Sequence, residues 1–190
     1  MITHTFAGAS IVSAISQSMV LKNITVLFAA YWGYAVVAVV LGYLLLHNKE
    51  KQERVRRARL VGLGLLSALI ARFGVVVVIR ALYVRSRPFV LEGFQPLIEH
   101  AATPAFPSGH ATFFAALAVL FVLAREKRMG WFLALSALFI SIARVLAGVH
   151  WPADVVAGWA VGIIVSAIVW WVYTFYADAD KKAPSVLEEQ

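Results

Sequence analysis

Two histidines stand in short polar stretches between long apolar runs, and each has neighbours suited to phosphate chemistry. His150 lies four residues before Asp154, with Pro152 between them. A helix starting at this proline would place the carboxylate within reach of one imidazole nitrogen and leave the other free to attack or to take a proton. The pair is thus a candidate nucleophile or base with its orienting acid. The structural alternative is that Asp154 only complements the helix dipole.

The second histidine closes the stretch Pro107-Ser108-Gly109-His110, where a loop leads into an apolar run. We expect this stretch at a helix N-terminus. Free N–H groups there bind phosphate, and a glycine lets the anion come close to the backbone. The alternative is a proline-glycine turn with a serine cap and no ligand.

Three arginines, Arg80, Arg87 and Arg144, accompany the two histidine stretches. Guanidinium groups match the geometry of phosphate oxygens, so this set favours an anionic ligand. A snorkelling interfacial side chain is the alternative for Arg144. Divalent metals prefer several carboxylates or a tight histidine set, and the acids nearby are few and dispersed. We therefore expect no metal and no other cofactor.

Other polar residues receive no role in this prediction. Arg72 has no motif around it, which favours a structural pairing or a snorkelling side chain. The remaining residues are expected to lie in ordinary loops or far from the site: Glu92, Glu99, His100, His4 and His47.

The composition indicates a membrane protein. Of the 190 residues, 62% are hydrophobic and only 14% are charged, whereas about a quarter are charged in a soluble domain. The net charge of +7 falls in short loops between apolar runs, which favours membrane topology over nucleic-acid binding. The predicted fold class is an all-α polytopic membrane helix bundle, forming a single domain over residues 1–190.

We predict a transmembrane bundle over residues 25–176, with spans at 25–46, 60–83, 108–124, 131–146 and 152–176. Apolar side chains at helical spacing in residues 1–24 predict an amphipathic helix in the membrane interface, with a sixth span as the alternative. Residues 177–190 are expected to form a polar cytoplasmic tail.

Basic loops fix the predicted orientation. Residues 47–59 and 125–128 are rich in lysine and arginine, and such loops remain on the cytoplasmic side. Alternation of the spans then places both histidine stretches, and Arg80 and Arg87, together on the opposite side. The sequence therefore predicts one anion site at the extracytoplasmic surface of the membrane.

Taken together, the segments Arg80-x6-Arg87-Pro88, Pro107-Ser108-Gly109-His110 and Arg144-x5-His150-x3-Asp154 resemble the three-part signature of the type 2 phosphatidic acid phosphatase (lipid phosphate phosphatase) superfamily. That family usually has lysine at the position of Arg80, which puts direct substrate contact by Arg80 in question.

The resemblance implies a role for each motif residue. His150 would be the nucleophile that forms a phosphohistidine, Asp154 would orient it, and His110 would protonate the leaving oxygen. The remaining residues would hold the phosphoryl oxygens: Arg80, Arg87, Ser108, Gly109 and Arg144.

Within the superfamily, the stretch 87–108 looks most like the bacterial undecaprenyl pyrophosphate phosphatases linked to bacitracin resistance. This resemblance implies an enzyme of the bacterial cytoplasmic membrane that recycles the lipid carrier of cell-wall biosynthesis on the extracytoplasmic side. Phosphatidylglycerophosphate and phosphatidate phosphatases share the same site chemistry and remain alternatives. A non-catalytic anion binder or transporter is the alternative of another class, although it has no need of a histidine held by a carboxylate.

Overall fold

The computed structural model describes residues 8–45 and 50–182, and these residues form helices and no strand. Helix α1 is Gly8–Ser16. Helix α2 has three parts: the α-helical Met19–Val26, the π-helical turn Leu27–Tyr31 and the α-helical Trp32–Leu45. Helix α3 is built in the same way from Lys51–Leu69, the π-helical turn Ile70–Val75 and Val76–Leu82. The remaining helices are α4 (Pro88–Glu92), α5 (Gly109–Leu123), α6 (Lys127–Leu146) and α7 (Pro152–Lys182).

Four of these helices are long and apolar enough to cross a membrane, and α5 is a shorter apolar helix. The predicted all-α membrane bundle is therefore confirmed. Helix α5 is short because it lies inside the bundle, against α3, α6 and α7. Its residues Ala115, Leu117 and Phe121 are completely buried, so its length is set by protein neighbours rather than by lipid.

Small residues bring α7 close to α5. A Cβ atom added at Gly158 would lie 2.7 Å from the carbonyl oxygen of Ser108, and one at Gly162 would lie 2.7 Å from that of Thr112. Glycine at these positions lets two membrane helices pack backbone to backbone. One turn further along α7, the Ser166 hydroxyl donates to the carbonyl of Ala116 at 2.7 Å. Together with the two glycines, this contact holds the first half of α7 against α5.

The two basic segments meet at one end of the bundle, which we call the basic end. Arg56 of α3 forms an ion pair of 2.6 Å with Glu126, which precedes α6. The Tyr43 hydroxyl of α2 donates to the other oxygen of Glu126 at 3.1 Å. The histidine stretches lie at the opposite end of the same helices, the site end. The predicted separation of basic loops from motif segments is thus present in the structure.

Four predicted boundaries differ from the structure, one of them the start of α6, at Lys127 rather than at residue 131. The first span begins at Met19 rather than at residue 25, because the Ser18 hydroxyl caps the helix by accepting from the amide of Leu21 at 3.4 Å. Helix α3 begins at Lys51, so most of the predicted basic loop is helical. Helix α7 continues to Lys182, beyond the predicted end at residue 176, because alanine and lysine favour helix. Residues 1–7 and 183–190 of the predicted terminal segments lie outside the described residues.

Helix α1 is separate from the spans and packs at the site end, while its location in the membrane interface stays a prediction. Its buried face carries Val12 and Ile15, and it lies against α4 in the loop between α3 and α5. The amide of Ala9 donates to Glu92 at 2.9 Å. This contact gives Glu92 a structural function, consistent with its assignment as a loop residue.

Candidate active site

The site lies at the site end of the bundle, where α3, α5, α6 and α7 meet the loop between α3 and α5. The turn after α6 contains Gly148, whose φ of 76° falls in the left-handed region that glycine adopts readily. This turn directs the chain from Arg144 back to His150. Helix α7 then starts at Pro152, as the sequence predicted, with Asp154 in its first turn.

His150 and Asp154 form a buried pair. Nδ1 of His150 lies 3.5 Å from Oδ2 of Asp154, and the two side chains are 1% and 0% exposed. Oδ2 also accepts from the amide of Trp151 at 2.9 Å. Oδ1 forms an ion pair of 2.9 Å with Arg85. The carboxylate is thus held from two sides with one oxygen towards the imidazole.

Arg87 occupies the other side of the imidazole. Its NH1 lies 3.3 Å from Nε2 of His150 and also donates to the carbonyl of Val149 at 2.8 Å. Its Nε donates to the carbonyl of Thr103 at 2.9 Å, which ties the outer loop to the site. Because a guanidinium only donates, Nε2 is the acceptor and the imidazole proton resides on Nδ1, towards Asp154. Nε2 is therefore the nitrogen with the available lone pair.

The surroundings keep the imidazole neutral. Burial holds the pKa of His150 well below its usual range, and the nearby cations Arg144, Arg87 and Arg80 lower it further. A neutral imidazole can act as a nucleophile, whereas an imidazolium cannot. Burial, followed by the charge of Arg80, lowers the pKa of Arg87 to about 10, so this arginine stays cationic at neutral pH.

Several buried donors at the site have no partner among the described residues. Arg144 donates from NH1 to the carbonyl of Ala29 at 3.2 Å, but its Nε and NH2 are unpaired. Arg80 donates from NH2 to the carbonyl of Pro107 at 2.9 Å, while its Nε is unpaired. The Ser108 hydroxyl is also buried without a partner. Unpaired buried donors are costly, so this arrangement is suited to an anion with several oxygens.

The stretch 107–110 opens α5 as predicted. Ser108 occupies the N-cap position, although its hydroxyl makes no capping hydrogen bond. Its amide donates to the carbonyl of Asp154 at 2.8 Å, which joins the starts of α5 and α7. His110, in the first turn of α5, lies close enough to interact electrostatically with Arg144, Arg80 and His100. All eight residues predicted for the site are thus brought together at one end of the bundle.

Three residues at the site were not predicted: Arg72, Arg85 and His100. Arg85 forms the ion pair with Asp154, a contact that its position in the sequence does not predict. The ring of His100 packs edge-on against that of His150, with centroids 6.2 Å apart. Burial, and then the charges of Arg87 and Arg144, lower the pKa of His100 to about 4. The signal available for Arg72 was its position at membrane depth without a nearby acid in sequence.

Among residues 8–45 and 50–182, no three His, Asp or Glu side chains are close enough to hold a metal ion together. The partners of Asp154 are instead Arg85 and the amide of Trp151. Activity without a divalent metal remains a prediction.

Comparisons with known proteins agree with the sequence motifs. Residues 61–177 match the PAP2 superfamily. The undecaprenyl-diphosphatase BcrC of Bacillus subtilis is 30% identical over 170 residues, which cover 90% of this chain and 81% of that protein. A lipid A 1-phosphatase of Rhizobium etli is 32% identical over 130 residues, which cover 64% of this chain and about half (54%) of that protein.

Among solved structures, the fold is similar to the crystal structure of Aquifex aeolicus LpxE, with a TM-score of 0.66 and 23% identity. The match covers 90% of this chain and 99% of that one, so the whole described bundle shares one architecture. The family match includes Arg80, the stretch 107–110 and the His150–Asp154 pair. The resemblance found in the sequence is confirmed, and the chain belongs to the PAP2 superfamily.

Proposed function

We propose that this membrane lipid phosphatase removes the terminal phosphate of undecaprenyl diphosphate, giving undecaprenyl phosphate and inorganic phosphate through a phosphohistidine at His150. The observation that carries the proposal is the buried neutral imidazole. Its Nδ1 faces Asp154 at 3.5 Å, and its Nε2 faces Arg87 at 3.3 Å. Such an arrangement presents one lone pair to a phosphorus atom and supplies charge to the oxygens around it.

In the first half of the proposed reaction, the Nε2 lone pair of His150 attacks the terminal phosphorus. NH1 of Arg87 moves from Nε2 to a phosphoryl oxygen. His110 acts in its imidazolium form, which the negative charge of the bound diphosphate favours against the surrounding arginines. The bond between the terminal phosphorus and the bridging oxygen breaks, and His110 gives its proton to that oxygen. Undecaprenyl phosphate leaves, and the phosphoryl group remains on His150.

In the second half, water attacks the phosphorus of the phosphohistidine. The water gives a proton to His110, which is now neutral, and the electrons of the P–N bond return to Nε2. Inorganic phosphate leaves, and both histidines regain their starting states. Five residues hold phosphoryl oxygens during both steps, through guanidinium, hydroxyl and backbone N–H groups: Arg80, Arg87, Ser108, Gly109 and Arg144.

The choice of a polyprenyl diphosphate rests on the relatives. The Bacillus subtilis relative, which covers most of this chain, is named as an undecaprenyl-diphosphatase. The Rhizobium etli relative is named as a lipid A 1-phosphatase, which makes a lipid A phosphate the second candidate. Phosphatidate and phosphatidylglycerophosphate remain alternatives because the same site chemistry would act on them.

We also propose that the site end faces the extracytoplasmic side of a bacterial cytoplasmic membrane, where the lipid carrier of cell-wall synthesis would be recycled. The support is the concentration of lysine and arginine at the basic end, since such segments stay in the cytoplasm. Cysteines introduced at Lys51 and Lys127 should be inaccessible to an impermeant thiol reagent in intact cells. Labelling of either position would reverse the orientation.

A substrate panel tests the function. Purified protein in detergent would be given undecaprenyl diphosphate, lipid A, phosphatidate and phosphatidylglycerophosphate, with phosphate release measured in excess chelator. We expect the highest kcat/KM with undecaprenyl diphosphate and no loss of activity in chelator. A higher kcat/KM with a monophosphate lipid would show that this lipid, and not undecaprenyl diphosphate, is the preferred substrate. Binding without phosphate release from any lipid would indicate an anion binder or transporter.

A further inference from the structure

Arg72 is a cation at membrane depth that the proposed mechanism does not use. It lies in the π-helical turn Ile70–Val75 of α3, deeper in the bundle than Arg80. Within the described part of the chain it makes no hydrogen bond and no ion pair, and its guanidinium lies 5.2 Å from the ring centroid of Phe73. An arginine inside the bilayer is costly unless it has a partner or a ligand, so its presence there calls for a function.

The guanidinium of Arg72 touches the start of α5. A Cβ atom added at Gly109 would lie 2.2 Å from Nε of Arg72 and 2.5 Å from its Cζ. Glycine at position 109 therefore makes room for this arginine. Arg72 is also close enough to Arg144 and His110 for electrostatic interaction. It belongs spatially to the site, on the side of His110.

An apolar pocket of about 340 Å³ lies beside Arg72 and is lined by α2, α3, α5 and α6, without a contribution from His150 or Asp154. We call it the lipid-side pocket. The polar side chains that line it are Arg72, His110 and Tyr34, and its other walls include Phe28, Val37, Phe113, Phe114 and Ile140.

Both π-helical turns border the lipid-side pocket. Phe28 and Ala29 come from the turn in α2, and Arg72 and Phe73 come from the turn in α3. The carbonyl of Ala29 accepts from Arg144, so the turn in α2 also holds a site arginine. Interruptions of this kind are frequent at functional sites in membrane and soluble helices. Arg72 is thus the cation at the junction between an apolar compartment and the phosphoryl site.

We propose that Arg72 binds the lipid-linked phosphate of a diphosphate substrate and so determines the preference for diphosphates over monophosphates. This inference rests on the proposed function. The first part of the lipid chain would occupy the lipid-side pocket, with the rest of the chain in the bilayer, and the terminal phosphorus would lie at His150. The lipid-linked phosphate between them would lie beside Arg72 and His110. When the bond from the terminal phosphorus to the bridging oxygen breaks, negative charge develops on that phosphate, His110 protonates it, and Arg72 stabilises the departing group.

A monophosphate lipid would use Arg72 less. Its single phosphorus must lie at His150 to be attacked, so an uncharged ester oxygen and the alcohol, rather than a phosphate, would lie near Arg72. The two substrate classes therefore differ in one ionic contact at this position, whereas Arg87 and Arg144 would serve both. A hydrogen bond to a charged group is worth roughly a tenfold to a hundredfold change in an equilibrium or rate.

The test compares two lipids that share one chain, undecaprenyl diphosphate and undecaprenyl phosphate, with p-nitrophenyl phosphate as a soluble monophosphate. Arg72→Gln should lower kcat/KM for the diphosphate by roughly tenfold to a hundredfold and leave both monophosphates within about threefold. Arg72→Lys should recover part of the loss. The matched control is Arg59→Gln, in the same helix at the basic end, where Arg59 donates to Tyr173 at 3.2 Å; it should change neither class.

A second variant distinguishes loss of the Arg72 contact from a general effect on folding. Gly109→Ala would displace the Arg72 side chain. The loss of kcat/KM for the diphosphate in the double variant with Arg72→Gln should therefore be smaller than the product of the two single losses. Equal losses of Arg72→Gln on all three substrates, or no loss on any, would overturn the inference while leaving the proposed function intact. A parent protein that prefers monophosphates would instead contradict the proposed function.

Discussion

The arginines at the two ends of the bundle differ in exposure and in their partners. At the basic end, Arg56 and Arg57 pair with Glu53 and Arg56 also pairs with Glu126, and the Arg56 side chain is 49% exposed. At the site end, Arg87 and Arg144 are 1% and 3% exposed. Arg87 is bound by main-chain carbonyls and one imidazole, and Arg144 keeps two nitrogens unpaired.

This difference separates two uses of positive charge in a membrane protein. Exposed arginines that pair with glutamates remain hydrated, and such basic segments set the orientation in the membrane at little energetic cost. A buried arginine without a carboxylate, such as Arg144 with its unpaired Nε and NH2, retains hydrogen-bonding capacity for a ligand, at a cost that the anion offsets. Asp154 is the carboxylate at the site end that pairs with an arginine there, and its partner is Arg85 rather than Arg87 or Arg144.

The largest expected effect concerns the two histidines. His150→Ala should reduce turnover by about 10⁴-fold or more, because no other group takes up the phosphoryl. His110→Ala should reduce kcat by about 10²–10⁴-fold, the usual contribution of a general acid, and Asp154→Asn should fall between. Steady-state rates on undecaprenyl diphosphate measure this. A dead His110→Ala beside an active His150→Ala would show that the roles are reversed.

Lysine substitutions at the site end test whether the forked shape of the guanidinium matters in addition to its charge. Arg87→Lys and Arg144→Lys should lose roughly 10–100-fold in kcat/KM, because a lysine keeps the charge but gives up the forked contact. Arg80→Lys should stay within about fivefold, since the family usually has lysine there. Equal losses at the three positions would mean that charge alone matters and that fork geometry does not.

The pH response of His150 is a third test. Because burial and the neighbouring cations lower its pKa, the folded protein should keep this imidazole neutral well below pH 6.5. Its ¹⁵N resonances in detergent should therefore not titrate between pH 8 and pH 5.5. The unfolded chain does protonate in that window, so this residue's contribution should destabilise the fold as the pH falls below about 6.5. A titration midpoint near 6.5 in the native protein would contradict the described environment.

The smallest effect is expected at the basic end. Arg56→Gln removes an exposed ion pair with Glu126, which is typically worth about 0–1 kcal/mol. Activity should stay within about twofold, and the melting temperature in detergent should fall only slightly. A loss comparable to that of Arg87→Lys would show that the basic end is coupled to catalysis.

The sequence predicted the parts of the site that depend on order and spacing. The His150–Asp154 pair needs only a helix start at Pro152, and the stretch 107–110 needs only a loop entering a helix. Arg72 and His100 depend on long-range geometry instead. Arg72 lies in the π-helical turn of α3, and the loop carrying His100 is tied to the site by the contact of Arg87 with Thr103. The sequence signals that Arg72 is at membrane depth without a nearby acid, but it does not show that Arg72 or His100 lies beside the site.

The helix boundaries show the same division. The apolar runs located the four helices that are long enough to cross a membrane and the shorter α5, because a membrane span needs about 20 apolar residues. The capping contact of Ser18 with Leu21 is a local feature, but several serines precede this helix and the sequence does not show which one caps it. The sequence therefore predicted a later start for α2. The buried face of α1 was visible as helical spacing, but its contact with α4 was not.

Trapping the covalent intermediate tests the central claim most directly. Protein mixed with undecaprenyl diphosphate labelled in its terminal phosphate would be quenched within milliseconds in base and digested, and the labelled peptide identified. The parent protein should yield an acid-labile, base-stable phosphoenzyme on the peptide containing His150, and His150→Ala should yield none. Full turnover without label on the parent under single-turnover conditions, or label retained in His150→Ala, would contradict the account.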